Sequence, residues 1–132
     1  MAYKITWLDE PWLMFVEYYD RMTYRDIEEV MQVCIPQAQA HPIYFLLDIS
    51  RTERFDPAML RSQAAMKLLR QPNTRMFVVV GVKGLFKIAI NYFSPFAQFK
   101  LFDNMDEARA FVVEEIEKEK QAARQPNNVP PA

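Results

Sequence analysis

Two runs of consecutive apolar residues limit what this chain can fold into more than any other feature. The stretches PIYFLLDIS (Pro42–Ser50) and MFVVVGV (Met76–Val82) are apolar at neighbouring positions, without the alternation of a strand that has one wet face. Such runs are typical of strands buried on both faces inside a mainly parallel sheet. Helices must then cover that sheet, so the two runs predict an α/β fold.

Turn and capping residues define the segments before the first of these runs. Strands at Ile5–Leu8 and Leu13–Tyr19 flank a turn in which Pro11 presets the backbone, a pattern that predicts a hairpin. Thr23 begins a capping-box pattern, and apolar residues follow it at helical spacing. Pro36 is expected to end or kink that helix.

The same signals divide the rest of the chain into alternating helices and strands. They place a second helix at Asp56–Arg70, a third at Leu85–Phe93, a strand at Gln98–Phe102 and a last helix capped by Asn104. The order β-β-α-β-α-β-α-β-α predicts an N-terminal hairpin followed by β-α units, with a mostly parallel sheet of four to five strands and four main helices. Residues 1–120 are expected to form one domain, and 121–132 a flexible C-terminal tail without apolar periodicity.

The composition argues against several classes of protein. With 16 Lys and Arg against 17 Asp and Glu, the net charge is -1, and no basic block is interleaved with aromatic residues, so nucleic-acid binding is not expected. Lys83, Lys87 and Lys100 still allow a local basic patch. The apolar runs fall far short of the about 20 residues that span a bilayer. The N-terminus does not read as a signal peptide, and the lone Cys34 suits a reducing cytoplasm.

Side chains that usually carry catalysis are scarce. Two glycines are too few for most phosphate-binding loops, and a single histidine with a single cysteine argues against a zinc site built from those ligands. His41 precedes a proline at a helix–strand boundary and is interpreted as a turn residue. Cys34 lies on an apolar helix stripe and is interpreted as a core residue. We therefore expect no catalytic residue, no metal and no cofactor.

Three carboxylates remain as candidates for chemistry. Asp48 and Asp103 lie near the carboxyl ends of predicted strands, where ligands of parallel sheets gather, and Asp56 follows the loop after Asp48. A hard cation such as Mg²⁺ could use that arrangement. The alternative is that Asp48 accepts hydrogen bonds from loop amides, while Asp56 and Asp103 or Asn104 cap helices.

The segment around the first apolar run resembles the STAS domain, the fold of bacterial anti-sigma-factor antagonists and of sulphate-transporter tails. In that family a buried strand ends in Asp-hydrophobic-Ser, and a short loop leads to an acid followed by the serine or threonine that a partner kinase phosphorylates. Here Asp48-Ile49-Ser50 matches the first element and Asp56 matches the acid. The element order agrees over about Tyr3–Ile116. The likeness is greatest to the divergent SpoIIAA-like branch, sometimes grouped with lipid-binding CRAL-TRIO (Sec14-like) folds.

The departure from the family pattern concerns the phosphorylated residue itself. Pro57 and Ala58 stand where the family has its hydroxyl, and neither can accept phosphate. Ser50, Thr52 and Ser62 carry hydroxyls nearby, but none occupies the family position. The resemblance therefore implies a STAS-like domain without the usual phosphoswitch.

The third helix is apolar nearly all round. One stripe contains Leu85, Ile88, Ala89 and Tyr92, and another contains Phe86, Ile90 and Phe93. One stripe can face the sheet, and the other needs a second cover, which is a subunit, a ligand or the neighbouring segment around Phe96.

Three hypotheses about function follow. The first is a non-enzymatic, STAS-like regulatory domain that binds a protein partner or a second copy of itself; its candidate binding residues are Asp48, Ser50, Arg51, Thr52, Asp56, Phe86, Ile90 and Phe93. The second, suggested by the CRAL-TRIO likeness and by eight methionines and ten phenylalanines, is a carrier of an apolar, lipid-like ligand. The third and weakest is a Mg²⁺-dependent enzyme that uses Asp48, Asp56 and Asp103.

Overall fold

The computed structural model describes residues 2–124 of the chain. Its elements are β1 (Tyr3–Asp9), β2 (Leu13–Met22), α1 (Tyr24–Ala40), β3 (Ile43–Phe55), a 3-10 helix (Pro57–Arg61), α2 (Gln63–Leu69), β4 (Thr74–Val80), α3 (Leu85–Phe93), β5 (Phe99–Phe102) and α4 (Met105–Arg124). This order confirms the predicted α/β fold with an N-terminal hairpin, and adds the short 3-10 helix.

The strands form one sheet in the order β1-β2-β3-β4-β5 within the described residues. β1 pairs with β2 in antiparallel fashion, whereas each later neighbouring pair is parallel. The parallel connections run through helices, as expected because a parallel strand cannot follow its neighbour through a tight turn. The result is a mostly parallel sheet with one antiparallel edge strand.

Both faces of the sheet are buried, as the consecutive apolar residues predict. On β3, Phe45 packs into the core that includes residues of α1, α2 and α3, whereas the next residue, Leu46, packs into the core under α4. On the first face the rings of Phe45, Phe77 and Phe99 stack across three strands, with neighbouring centroids 5.1 Å apart in both pairs.

Helix α1 begins at the predicted capping box. The Thr23 side chain accepts a hydrogen bond from the Asp26 amide, and the Asp26 carboxylate accepts one from the Thr23 amide. Pro36 does not end this helix, which continues to Ala40. Cys34 lies in the core as expected, where burial raises the pKa of its thiol to about 12.

The predicted second helix is interrupted. Asp56 caps a 3-10 turn, and Ser62 then caps the separate helix α2, where its hydroxyl accepts a hydrogen bond from the Ala65 amide over 3.0 Å. The same hydroxyl donates to Glu28 Oε1 of α1 over 2.7 Å, so it links the two helices. Local capping by serine, which competes with helix continuation, explains the break.

Helix α4 lies against the second face and extends to Arg124, so the predicted domain boundary at residue 121 falls inside this helix. The remainder of the predicted tail lies outside the described residues. Within residues 2–124, none of the helices has the length and apolar character needed to cross a bilayer.

Candidate functional site

The segment after Asp48 is a strand and not the loop that the sequence indicates. β3 continues to Phe55 and pairs with β2 as far as the Met22–Phe55 register position. Pairing with β4 ends earlier, at Asp48–Val80. Ser50–Phe55 therefore has a strand neighbour on one side only, and we call this segment the free edge.

The two acids that flank this segment are held by local hydrogen bonds. Asp48 Oδ1 accepts from the Ser50 amide over 2.9 Å and from the Ser50 hydroxyl over 2.6 Å. Asp56 Oδ1 accepts from the Ala58 amide over 2.9 Å at the start of the 3-10 helix. These are the capping and turn roles that the sequence offered as the alternative to metal chemistry.

The magnesium hypothesis required Asp48, Asp56 and Asp103 to converge. Within the described part of the chain, no group of three or more Asp, Glu, His or Cys side chains is placed to hold a metal ion. That hypothesis is therefore wrong in the form in which the sequence suggested it, because strand β3 continues past Asp48 and carries Asp56 away from it.

An open cleft of about 880 Å³ lies beside the free edge. One wall contains each residue from Ser50 to Phe55, and the other contains Lys83, Gly84, Leu85 and Phe86, where the β4–α3 loop enters α3. The cleft brings together the predicted binding residues Ser50, Arg51, Thr52 and Phe86. It also contains Arg54, which lies in the same predicted loop but is not among the predicted binding residues.

The side chains of this cleft differ in their exposure to solvent and in their hydrogen bonding. Arg51, Arg54 and Lys83 are exposed, and the Arg51 guanidinium lies 5.7 Å from the centroid of the Tyr19 ring. Thr52 is 6% exposed, and its Oγ1 is the one buried side-chain oxygen or nitrogen within residues 2–124 that has no hydrogen-bond partner. Native proteins contain few such atoms. Thr52 is therefore an unusual residue of the cleft wall, with a buried hydroxyl that is not hydrogen-bonded.

Helix α3 turns the stripe that contains the predicted binding residues toward the core, and residues of its other stripe toward solvent. Phe86 and Phe93 are buried in the core and Ile90 is half-buried against it, with the Phe86 ring 4.7 Å from that of Phe55. This corrects the choice of these residues as an interaction surface. The outward residues are Leu85, Ile88 and Tyr92, which are 64%, 59% and 49% exposed, together with Phe96. We call these four residues the α3 patch.

Beneath α3 lies a small apolar cavity of about 100 Å³. Its walls come from the sheet and from α1, α2 and α3, and include Tyr18, Met31, Leu47, Phe77, Ile90 and Phe99. Burial raises the pKa of the Tyr18 phenol, so this side chain stays neutral. The cavity can take an apolar group and offers no charged side chain to a ligand.

Two of three comparisons with known proteins agree on the fold. The SpoIIAA-like family model matches residues 13–113. A search of curated proteins finds no match.

Two solved structures superpose over most of the chain. One is an uncharacterised protein of the DUF3478 family with a SpoIIAA-like fold from Shewanella loihica PV-4, at 16% identity and a TM-score of 0.61, covering 84% of this chain and 92% of that one. The other is the anti-sigma factor antagonist SpoIIAA in its unphosphorylated form, at 9% identity and a TM-score of 0.62, covering 86% of this chain and 98% of that one. At these identities the structures support the shared fold, and the family model supports membership: the chain belongs to the SpoIIAA-like family.

Proposed function

We propose that this chain is a non-enzymatic, STAS-like regulatory domain that binds a protein partner without a serine phosphoswitch and associates with a second copy of itself through the α3 patch. The SpoIIAA-like fold supports a regulatory or interaction domain. The main support for self-association is that the apolar side chains of the α3 patch are exposed. We also propose that the protein is located in the cytoplasm, with which a buried, free Cys34 is compatible.

The α3 patch has the composition of an interface core. It combines aliphatic and aromatic side chains of α3 with Phe96, which follows this helix, and aromatic residues are enriched at the centres of interfaces. Ile88 lies close to the middle of Leu85–Phe93. In a two-fold dimer with antiparallel α3 helices, Ile88 would pack near its own copy and Leu85 would lie against Tyr92 of the other subunit.

Replacing Ile88 with glutamate tests this interface. Sedimentation velocity over a concentration series should show the wild-type chain moving from monomer to dimer, and Ile88→Glu should remain monomeric because two buried carboxylates would face each other. Val113→Glu is the matched control: Val113 is 50% exposed on α4, outside the α3 patch, and this variant should dimerise like wild type. A wild-type chain that stays monomeric at every concentration would refute self-association.

The absence of a phosphoswitch is supported by the state of the nearby hydroxyls. Ser50 donates its hydroxyl to Asp48, and Thr52 and Ser62 are buried. Pro57 and Ala58 occupy the start of the 3-10 helix, where a phosphate would otherwise meet the partner. Phosphate-affinity electrophoresis of the chain from its native cells should give one unshifted band. A phosphate mapped by mass spectrometry to residues 50–62 would contradict this part of the proposal.

A second candidate, an apolar-ligand carrier, is favoured by the cavity under α3. Its volume of about 100 Å³ is below the roughly 300 Å³ at which small-molecule pockets begin, so a lipid would require α3 to move outward. Native mass spectrometry of freshly purified protein distinguishes the two functions. A bound apolar molecule at unit stoichiometry would favour the carrier, and a ligand-free mass would favour the interaction domain.

A further inference from the structure

We propose that the free edge of β3 binds an acidic, extended segment of a protein partner, which adds to the sheet as a further strand. This rests on the proposed function as an interaction domain, and it uses a surface separate from the α3 patch apart from Leu85.

The backbone of the free edge has unused hydrogen-bonding groups. The Ser50 amide is already used by Asp48 Oδ1. In a strand, successive peptide groups point to alternate sides, so about half of those in residues 51–55 point away from β2. β4 cannot receive them, because its pairing with β3 ends at Val80. Unpaired strand edges of this kind are templates for an added strand.

Gly81 explains why the edge opens where it does. A Cβ placed on Gly81 would lie 2.6 Å from Ser50 Cα, so the chain leaving β4 still touches β3 at this point. Gly81 has a φ of +86°, a left-handed conformation that turns the chain away toward α3. The space between the diverging segments is the cleft.

The lining of the cleft shows that it follows the strand edge. Alternate side chains of a strand face opposite sides of the sheet, so a pocket on one face would contact every second residue. This cleft contacts all six residues of the free edge in succession. A groove with this lining fits an extended backbone better than a compact ligand.

The charge of the cleft selects an acidic occupant. Arg51, Arg54 and Lys83 line it against the single acid Glu53, and the salt bridges within residues 2–124 involve other residues. The N-terminus of α3, which has no side-chain cap, adds partial positive charge on the same side. A second copy of this edge would bring the same excess of cations against these and is disfavoured.

A peptide titration followed by ¹⁵N–¹H NMR tests the inference with the full chain. The probe is the blocked peptide acetyl-ETEVET-amide, and its matched control is acetyl-KTKVKT-amide. The acidic peptide should shift the amides of residues 50–55 and 83–85, with binding that weakens as salt is raised, whereas the basic peptide should leave them unchanged. No shift with millimolar acidic peptide, or shifts confined to other residues, would overturn the inference.

A pair of charge reversals separates this surface from the rest of the molecule. The double variant Arg51→Glu, Arg54→Glu should weaken binding of the acidic peptide by about tenfold or more, because both cations are lost. Arg109→Glu reverses an exposed cation on α4 and should bind as wild type does. Equal binding by all three proteins would overturn the inference. If the wild-type chain does not bind the acidic peptide but sedimentation still shows an Ile88-dependent dimer, the free-edge inference fails and the proposed self-association stands.

Discussion

The two halves of β3 share one continuous backbone but have opposite surroundings. Ile43–Ile49 lies beside β2, pairs with β4 as far as Asp48, and carries residues of both cores, among them Phe45 and Leu46. Ser50–Phe55 has β2 on one side and a cleft on the other, and its side chains are mostly polar and exposed. The comparison shows that one neighbouring strand is enough to keep a polar segment extended, while the backbone groups on the other side remain available.

The transition between the halves coincides with irregular pairing on β2. The register with β3 is regular from Leu13 to Glu17 and shifts between Glu17 and Tyr19 and again between Asp20 and Arg21. Asp20 has a positive φ of 54°, which few residues other than glycine adopt. Bulges increase the local twist of a strand, so the second half of β3 pairs with an irregular, more strongly twisted part of β2.

The largest expected difference between the halves is in their contribution to stability. Leu46 is 0% exposed, and Leu46→Ala should lower the free energy of unfolding by about 3 kcal/mol through lost burial and a residual cavity. Glu53→Ala, an equivalent truncation in the exposed half, should change it by less than about 0.5 kcal/mol. Urea unfolding followed by circular dichroism measures both. Similar losses for the two variants would mean that the free edge is structurally as important as the core half.

The point where β4 leaves β3 can be tested by adding a single methyl group. Gly81→Ala should destabilise the chain by about 2 kcal/mol or more, because it combines a strained φ with a collision against Ser50. Gly84→Ala is the control, since Gly84 also has a positive φ but no atom lies within 4 Å of the added Cβ. Its cost should be smaller by about 1 kcal/mol. Equal costs would show that the close approach to Ser50 is not what constrains Gly81.

The sequence predicts the first half of β3 and not the second for a physical reason. Consecutive apolar residues report burial on both faces, and burial is what the pattern of PIYFLLDIS encodes. SRTERF has no such pattern, and its extended form depends on pairing with β2, a contact distant in sequence. The intrinsic strand propensity of each residue does not report contacts that are distant in sequence.

The orientation of α3, like the second half of β3, depends on tertiary structure. The two apolar stripes of α3 are visible in the sequence, but which stripe faces the sheet depends on how the β4–α3 loop leaves Gly81. For that reason the resemblance to STAS domains points to the segment that lines the cleft, while Phe86 and Phe93 are core residues.

The smallest effect concerns the unsatisfied hydroxyl of the second half. Thr52→Val removes a buried Oγ1 without a partner and keeps the shape of the side chain, so it should raise the free energy of unfolding by about 1 kcal/mol. Ser62→Ala is the opposite control, because the Ser62 hydroxyl makes two hydrogen bonds and its removal should lower stability by about 1–2 kcal/mol. Thermal and urea unfolding of both variants give the sign. A destabilised Thr52→Val would mean that the hydroxyl is already satisfied in the free protein, and the polar wall of the cleft would then offer an incoming strand only its backbone and its charges.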